Sequence, residues 1–231
     1  MHALHMPQPA QSVVYPDSDG MPMAENTVQY EWIVTIKGGL DAKLPDFVAG
    51  DLLWYPVEGH PEIRVAPDVL VALGRPKGDR GSYRQWVEGG VAPQVVFEIL
   101  SPGNNLPEML KKFSFYQFYG VNEYYIYNPD TNQVLGYQQV GGKLEEIKEM
   151  DGWCSPALGI RFQKGPEKLL LFHKDGSPFL SFTELSQQAE ALTQQAEALT
   201  QQAEEQQSRA EAAEAKAAAL EARLRALGIE P

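Results

Sequence analysis

Two acidic residues stand in strand-like apolar segments, and a pair of lysines follows them along the chain. Asp68 opens the first segment, residues 67–73, and Glu98 lies near the end of the second, residues 94–100. Lys112 comes next, in a segment with helical periodicity. Burying a carboxylate is costly without a partner, and a divalent metal ion is a partner that no sequence encodes. The lysine would balance the charge of a phosphate or of a metal-bound water, so the three residues predict cleavage of nucleic acid.

Hydrolysis of a phosphodiester needs an activated water, a stabilised phosphorane and a stabilised leaving oxygen. One or two Mg²⁺ ions supply all three when a few carboxylates and a backbone carbonyl hold them. Asp68 and Glu98 are expected on neighbouring strands, and the carbonyl of Ile99 is a natural further ligand. Lys112 shares a helical stripe with Tyr116, so it reaches the site if that helix folds back on the strand. Each residue also has an alternative: Asp68 as a turn element after Pro67, Glu98 with an arginine partner, and Lys112 at the surface beside Lys111.

Composition narrows the class of protein. The chain has 231 residues, a net charge of −12 and a single cysteine, Cys154. One cysteine excludes disulfides within the chain and a zinc site built from several cysteines. The sequence has no apolar run long enough to span a membrane and no signal peptide, so we expect a cytoplasmic protein. The negative charge argues against a DNA-binding surface over the whole molecule, but a local basic patch remains compatible with it.

Hydrophobic periodicity predicts a body of alternating strands and helices after an irregular leader at residues 1–26. The predicted elements are a helix at 25–43, strands at 47–55, 67–73, 94–100 and 123–127, a helix at 106–119 and an antiparallel meander at 134–172. In the second helix, Met109, Phe113 and Tyr116 are expected to face the core, with Phe118 as a further candidate, and Gly120 is expected to be the C-cap.

Residues 74–90 form a long glycine-rich segment between two predicted strands. Four cations lie in it with aromatic residues between them: Arg75, Lys77, Arg80 and Arg84. Loops of this length inside compact domains are usually functional or disordered. The segment is therefore either a phosphate-contacting loop or a solvated one.

The C-terminal segment, residues 183–227, has a seven-residue repeat. The unit Gln-Gln-Ala-Glu-Ala-Leu-Thr occurs twice in tandem and begins a third time at Gln201. Leucine dominates one heptad position and alanine the other, which predicts one long helix. Gln206 and Ala213 interrupt the leucine positions, so a coiled coil of two or three chains would be weak. Self-association, most simply as a homodimer, is favoured over a solitary solvated helix.

The motifs resemble the Uma family of putative restriction endonucleases, which belongs to the PD-(D/E)xK nuclease superfamily. The resemblance rests on Pro67-Asp68-Val69, on the segment 92–102 that contains Glu98, and on Lys112, Tyr116 and the segment 120–125, in order and with fitting separations. It covers residues 28–172. It implies an α/β fold of the restriction-endonuclease kind, in which helices flank a mixed sheet that has an antiparallel β extension. This domain would span residues 27–182, and the coiled-coil helix would follow it.

The resemblance also implies roles for the residues. Asp68 and Glu98 would be metal ligands for Mg²⁺ or Mn²⁺, Lys112 would be the catalytic lysine, and DNA would be the substrate. Leu100 occupies the place where the superfamily pattern has its lysine, so the resemblance implies that the lysine has moved to the helix. An upstream acid often completes such sites, and Glu31 and Asp51 are both candidates.

The sequence is also compatible with a second function. The acidic charge and the long helix also suit a catalytically silent nuclease fold that binds or assembles with a partner. The sequence identifies neither DNA over RNA as the substrate nor a methyltransferase that a restriction role would require.

Overall fold

The computed structural model describes residues 13–20 and 22–226. The chain divides into two compact units, one up to Ser181 and one from Phe182, which are described separately. Much of the expected irregular leader, residues 1–12 and 21, lies outside the described residues. Its described part, residues 13–20 and 22–26, contains no helix or strand.

The first unit contains two helices and ten strands among the described residues. The helices are α1 (Thr27–Lys43) and α2 (Leu106–Tyr119). The strands are β1 (Asp46–Gly50), β2 (Trp54–Tyr55), β3 (Val69–Pro76), β4 (Tyr83–Arg84), β5 (Val95–Ile99), β6 (Glu123–Asn128), β7 (Gln133–Val140), β8 (Lys143–Glu146), β9 (Arg161–Lys164) and β10 (Leu169–Phe172).

Six strands form one mixed sheet in the order β1-β3-β5-β6-β7-β8. Its central pair, β5 and β6, runs parallel, and the other neighbouring pairs are antiparallel. A parallel pair needs a crossover connection, and α2 supplies it between β5 and β6. The helix that carries Lys112 is therefore tied at both ends to the centre of the sheet. The predicted α/β fold, a mixed sheet with helices packed on it, is confirmed.

The centre of the sheet is covered on both faces, and the first four residues of β3 and all of β5 are buried. On β3, Val69 and Val71 join a core beneath α1, whereas Leu70 joins a second core with residues of α2. Successive side chains of a strand point to opposite faces, so one apolar run serves two layers. All five residues of β5 are buried, including Glu98. A carboxylate is thereby placed where its strand neighbours exclude water.

The single strand predicted at residues 47–55 is wrong. β1 ends at Gly50, and the chain turns at Asp51, whose φ is +47°. Residues other than glycine rarely adopt this left-handed conformation, and it ends the extended run. β2 pairs in parallel with β4 in a separate two-stranded sheet. The predicted loop at residues 74–90 is correspondingly shorter, because β3 extends to Pro76 and β4 lies within it.

The helix predicted at residues 106–119 is confirmed with the same bounds. The side chain of Asn105 accepts a hydrogen bond from the Glu108 N–H and begins the helix. Gly120 ends it in the left-handed conformation, with a φ of +88°. Tyr116 is fully buried as expected, but the inward position expected for Phe118 is wrong, because that side chain is 80% exposed.

The meander expected at residues 134–172 forms two separate pieces. β7 and β8 extend the main sheet as a hairpin, with Val140 opposite Lys143. β9 and β10 form their own antiparallel pair, which packs on the core beneath α1 through Phe162 and Leu171.

The second unit is one long helix, α3 (Phe182–Ala226). None of its described residues is buried. Leu227, the last leucine of the predicted repeat, lies outside the described residues. No helix in the described part of the chain is long and apolar enough to cross a membrane.

Candidate active site

Asp68 lies immediately before β3, beside the carboxyl end of β5. The register pairs Val69 with Phe97, which brings Asp68 level with Glu98 and Ile99 on the neighbouring strand. The Asp68 side chain is buried, and its Oδ2 accepts a hydrogen bond from the Ile99 N–H at 2.6 Å. The backbone N–H of Ile99 thus positions the Asp68 carboxylate, and both residues are candidate metal ligands.

Glu98 is the more deeply buried of the two acids, with 3% of its surface exposed against 8% for Asp68. Its Oε2 accepts a hydrogen bond from Lys112 Nζ at 2.7 Å, and its Oε1 accepts one from the Tyr116 hydroxyl at 2.5 Å. Both donors lie on α2, one turn apart, and so share one face. The structure therefore brings Lys112 back to the strand acid, although Leu100 occupies the place expected for the lysine. Neither the arginine partner for Glu98 nor the surface position for Lys112 is found.

Gln29 is a site residue that the sequence analysis missed. It lies in the first turn of α1 and is buried. Its Nε2 donates to the Ile99 carbonyl at 2.8 Å, and its side chain also hydrogen-bonds Asp68. One amide thus joins two of the three predicted ligand groups. The sequence did indicate that Gln29 is buried, because it lies on the same helix face as Ile33, Ile36 and Leu40.

Asp51 is the upstream acid that lies near the site. Its backbone N–H donates to the Asp68 carbonyl at 3.1 Å. Burial, together with the negative charges of Asp19 and Glu98, raises the pKa of Asp51 to about 6 against the opposing effect of Lys112. Glu31, the other candidate, is exposed on α1.

The site carries more negative charge than its one lysine compensates. Burial, and then the charge of Glu98, raise the pKa of Asp68 to about 7. Burial also raises the pKa of Glu98, against the opposing effect of Lys112. Burial by itself would lower the pKa of Lys112, but the Glu98 carboxylate outweighs it and the pKa lies above its usual value. A further cation would relieve the remaining repulsion.

The donor atoms suit a hard divalent cation. Two carboxylates and a carbonyl are the oxygen ligands that Mg²⁺ uses, with water completing its octahedron. The Ile99 carbonyl accepts from Gln29, but a carbonyl oxygen has a second lone pair. Among the described residues, no group of three or more His, Cys, Asp or Glu side chains is arranged to hold a metal ion. The fit therefore rests on two acids, the carbonyl and water.

The basic segment at residues 74–90 is held by ion pairs within the chain. Each of its four cations has an acidic partner at 3.6 Å or less. Ion pairing restrains these side chains and reduces the positive charge that they present to a phosphate. The pairs are Arg75–Glu88 at 3.3 Å, Lys77–Asp41 at 3.0 Å, Arg80–Glu88 at 2.6 Å and Arg84–Asp17 at 3.6 Å.

A mixed sheet with two buried carboxylates at its centre, and a crossover helix that returns a lysine to one of them, is the arrangement expected of a nuclease of the restriction-endonuclease kind. Comparison with known proteins agrees with this class. The profile of the Uma2 family, described as "Putative restriction endonuclease", matches residues 21–161. The chain belongs to the Uma2 family, and this membership supports a nuclease.

Among solved structures, the chain is similar to a putative nuclease belonging to DUF820 from Anabaena variabilis ATCC 29413. The two share 17% sequence identity with a TM-score of 0.40, over 57% of this chain and 72% of that one. No curated protein matches the chain.

Proposed function

We propose that this chain is a Mg²⁺- or Mn²⁺-dependent endonuclease that hydrolyses phosphodiester bonds of DNA. The observation that carries the proposal is the convergence of Lys112 and two buried carboxylates at one end of β5, with Lys112 Nζ 2.7 Å from Glu98. Membership of the Uma2 family supports the same chemistry.

In this proposal Asp68, Glu98 and the Ile99 carbonyl would hold the metal ion. When bound, the ion would supply Lewis acidity and lower the pKa of a water. Lys112 remains protonated, because the Glu98 carboxylate raises its pKa, and offers a positive charge to the scissile phosphate. The Tyr116 hydroxyl holds the second oxygen of Glu98, so the carboxylate keeps its orientation.

Cleavage of plasmid DNA with Mg²⁺ or Mn²⁺ tests the proposal, with single-stranded DNA and RNA as alternative substrates. We expect Asp68→Ala and Lys112→Met each to lower the cleavage rate by about a hundredfold or more. Lys111→Met is the matched control, because Lys111 is the exposed neighbour on the same helix. The proposal fails if the wild-type protein leaves all three substrates intact with either ion, or if Lys111→Met and Lys112→Met lose the same activity.

The charge distribution favours one alternative, a catalytically silent nuclease fold that binds a partner. The net charge is −12, and the cations of residues 74–90 are engaged with acids of the same chain. DNA binding relies on clustered cations that meet phosphates. The alternative gains if the protein binds Mn²⁺ through Asp68 yet cleaves no nucleic acid.

A further inference from the structure

The C-terminal helix α3 presents a long apolar seam. Leucines at one heptad position are 52–63% exposed, and none of the described residues of α3 is buried. In standard heptad letters these leucines occupy d and a row of alanines occupies a. The exposed d leucines are Leu185, Leu192, Leu199 and Leu220. In a solitary helix these leucines would remain in water, and the repeat would contribute no buried apolar area.

The charges that flank the seam lie in the C-terminal half of α3. Position g holds Arg209 and Lys216, and position e holds Glu214 and Glu221 five positions after them. Position g also holds Arg223, but its counterpart at e is the uncharged Gly228, so the charged pairs come from the first four residues. In the N-terminal half the same positions hold glutamine at g and serine or threonine at e. Residues at e and g of coiled coils set partner choice and orientation through pairing between helices. The orientation of a partner is therefore encoded in these four residues.

The four charges match a second copy of the same helix in one orientation. In a parallel, in-register pair, each g residue faces the e residue five positions later on the other helix. Arg209 then faces Glu214 and Lys216 faces Glu221, and the two-fold symmetry gives four contacts of opposite charge. In a fully overlapping antiparallel pair, g faces g, so Arg209 faces Gln202 and no opposite charges meet.

We propose that α3 is a self-association surface that binds a second copy of this chain as a parallel, in-register, two-stranded coiled coil. The pairs Arg209–Glu214 and Lys216–Glu221 select the orientation, and the leucine and alanine seam supplies the buried area. Gln206 and Ala213 occupy d in the middle of the seam and bury little apolar surface. The dimer is consequently reversible rather than permanent.

Parallel pairing has a consequence that rests on the proposed function. Each copy of the first unit joins α3 at its N-terminal end, after Ser181. A parallel coil brings two such attachment points to the same end, so the proposed nuclease would carry two copies of its site in each dimer. Self-association and cleavage are measured separately, so either can fail without the other.

Charge exchange tests the pairing, with sedimentation equilibrium of the full-length protein as the measurement. We expect the double variants Arg209→Glu/Lys216→Glu and Glu214→Lys/Glu221→Lys each to weaken dimerisation about tenfold or more, because four attractive contacts become repulsive. An equimolar mixture of the two variants restores all four attractions and should dimerise within about threefold of the wild type. A wild-type monomer at about 100 μM, a trimer, or unchanged affinity in both double variants overturns the proposal.

Disulfide trapping tests the orientation. In a Cys154→Ser background, Ala217→Cys places a thiol at position a, where two copies meet only in a parallel, in-register pair. Ala218→Cys is the matched control, because position 218 points away from the seam. We expect rapid crosslinking of the first variant and little of the second. Equal rates, or no crosslinking at position 217, exclude the parallel arrangement.

Discussion

Replacing Asp68 by Asn should stabilise the metal-free protein and abolish its response to metal. The carboxylate is buried, beside Glu98, and burial followed by the charge of Glu98 raises its pKa from 3.8 to about 7. Asparagine keeps an oxygen that can accept the hydrogen bond from the Ile99 N–H, but it carries no charge. The substitution therefore removes an electrostatic penalty and retains the main contact.

The raised pKa sets the size of the effect and its dependence on pH. The folded protein holds the Asp68 proton more tightly than the unfolded chain, so the penalty is absent below about pH 4 and complete above about pH 7. A difference of about three pKa units corresponds to about 4 kcal/mol in the free energy of unfolding, at about 1.4 kcal/mol per unit. We expect Asp68→Asn to gain about 2 to 4 kcal/mol at pH 8 and nothing at pH 4, since relaxation reduces the full value.

Urea denaturation in EDTA at both pH values measures this difference. A second series with Mn²⁺ at about a hundred times its dissociation constant should stabilise the wild type by about 2.7 kcal/mol and leave Asp68→Asn unchanged. The control is Asp130→Asn, because Asp130 is exposed in the turn between β6 and β7. If Asp68→Asn is no more stable than the wild type at pH 8 in EDTA, or if Mn²⁺ stabilises both equally, the assignment of Asp68 as a buried metal ligand is refuted.

Three further substitutions test the supporting structure. Gln29→Met should weaken Mn²⁺ binding about 10- to 100-fold by calorimetry, because the Gln29 amide fixes two ligand groups. Gln117→Met should leave that affinity unchanged, because it removes a glutamine contact with the Leu144 N–H on the edge strand β8. Tyr116→Phe should lower the free energy of unfolding by about 1 to 3 kcal/mol, since Glu98 loses a buried donor, and an unchanged urea midpoint would contradict the contact. Gly120→Ala should cost about 1 kcal/mol in the same assay, because its φ is +88° and an added Cβ meets no atom within 4 Å; a larger loss would indicate a steric cause instead.

Some elements of the fold could be predicted from the sequence because local rules govern them. Residues 106–119 carry a cap residue before them, a helical apolar period and a glycine after them, and the helix has those bounds. The apolar run around Glu98 favoured a buried strand, because it is short and rich in valine and isoleucine, as in a sheet covered on both faces. By contrast, the strand predicted at residues 47–55 is wrong. Its break depends on the left-handed conformation of Asp51, which no local pattern indicated.

The sequence by itself determined the chemical types at the site: two acids in apolar strands and a lysine on the following helix. Only the tertiary structure decided that Lys112 reaches Glu98, because that distance depends on the parallel crossover that folds α2 back over β5 and β6. The tertiary structure also brings Gln29 to the site, where its amide donates a hydrogen bond to the Ile99 carbonyl, 70 positions away in the chain. Periodicity reports which face of an element is buried, whereas the partner of a buried polar group is set by which elements pack together.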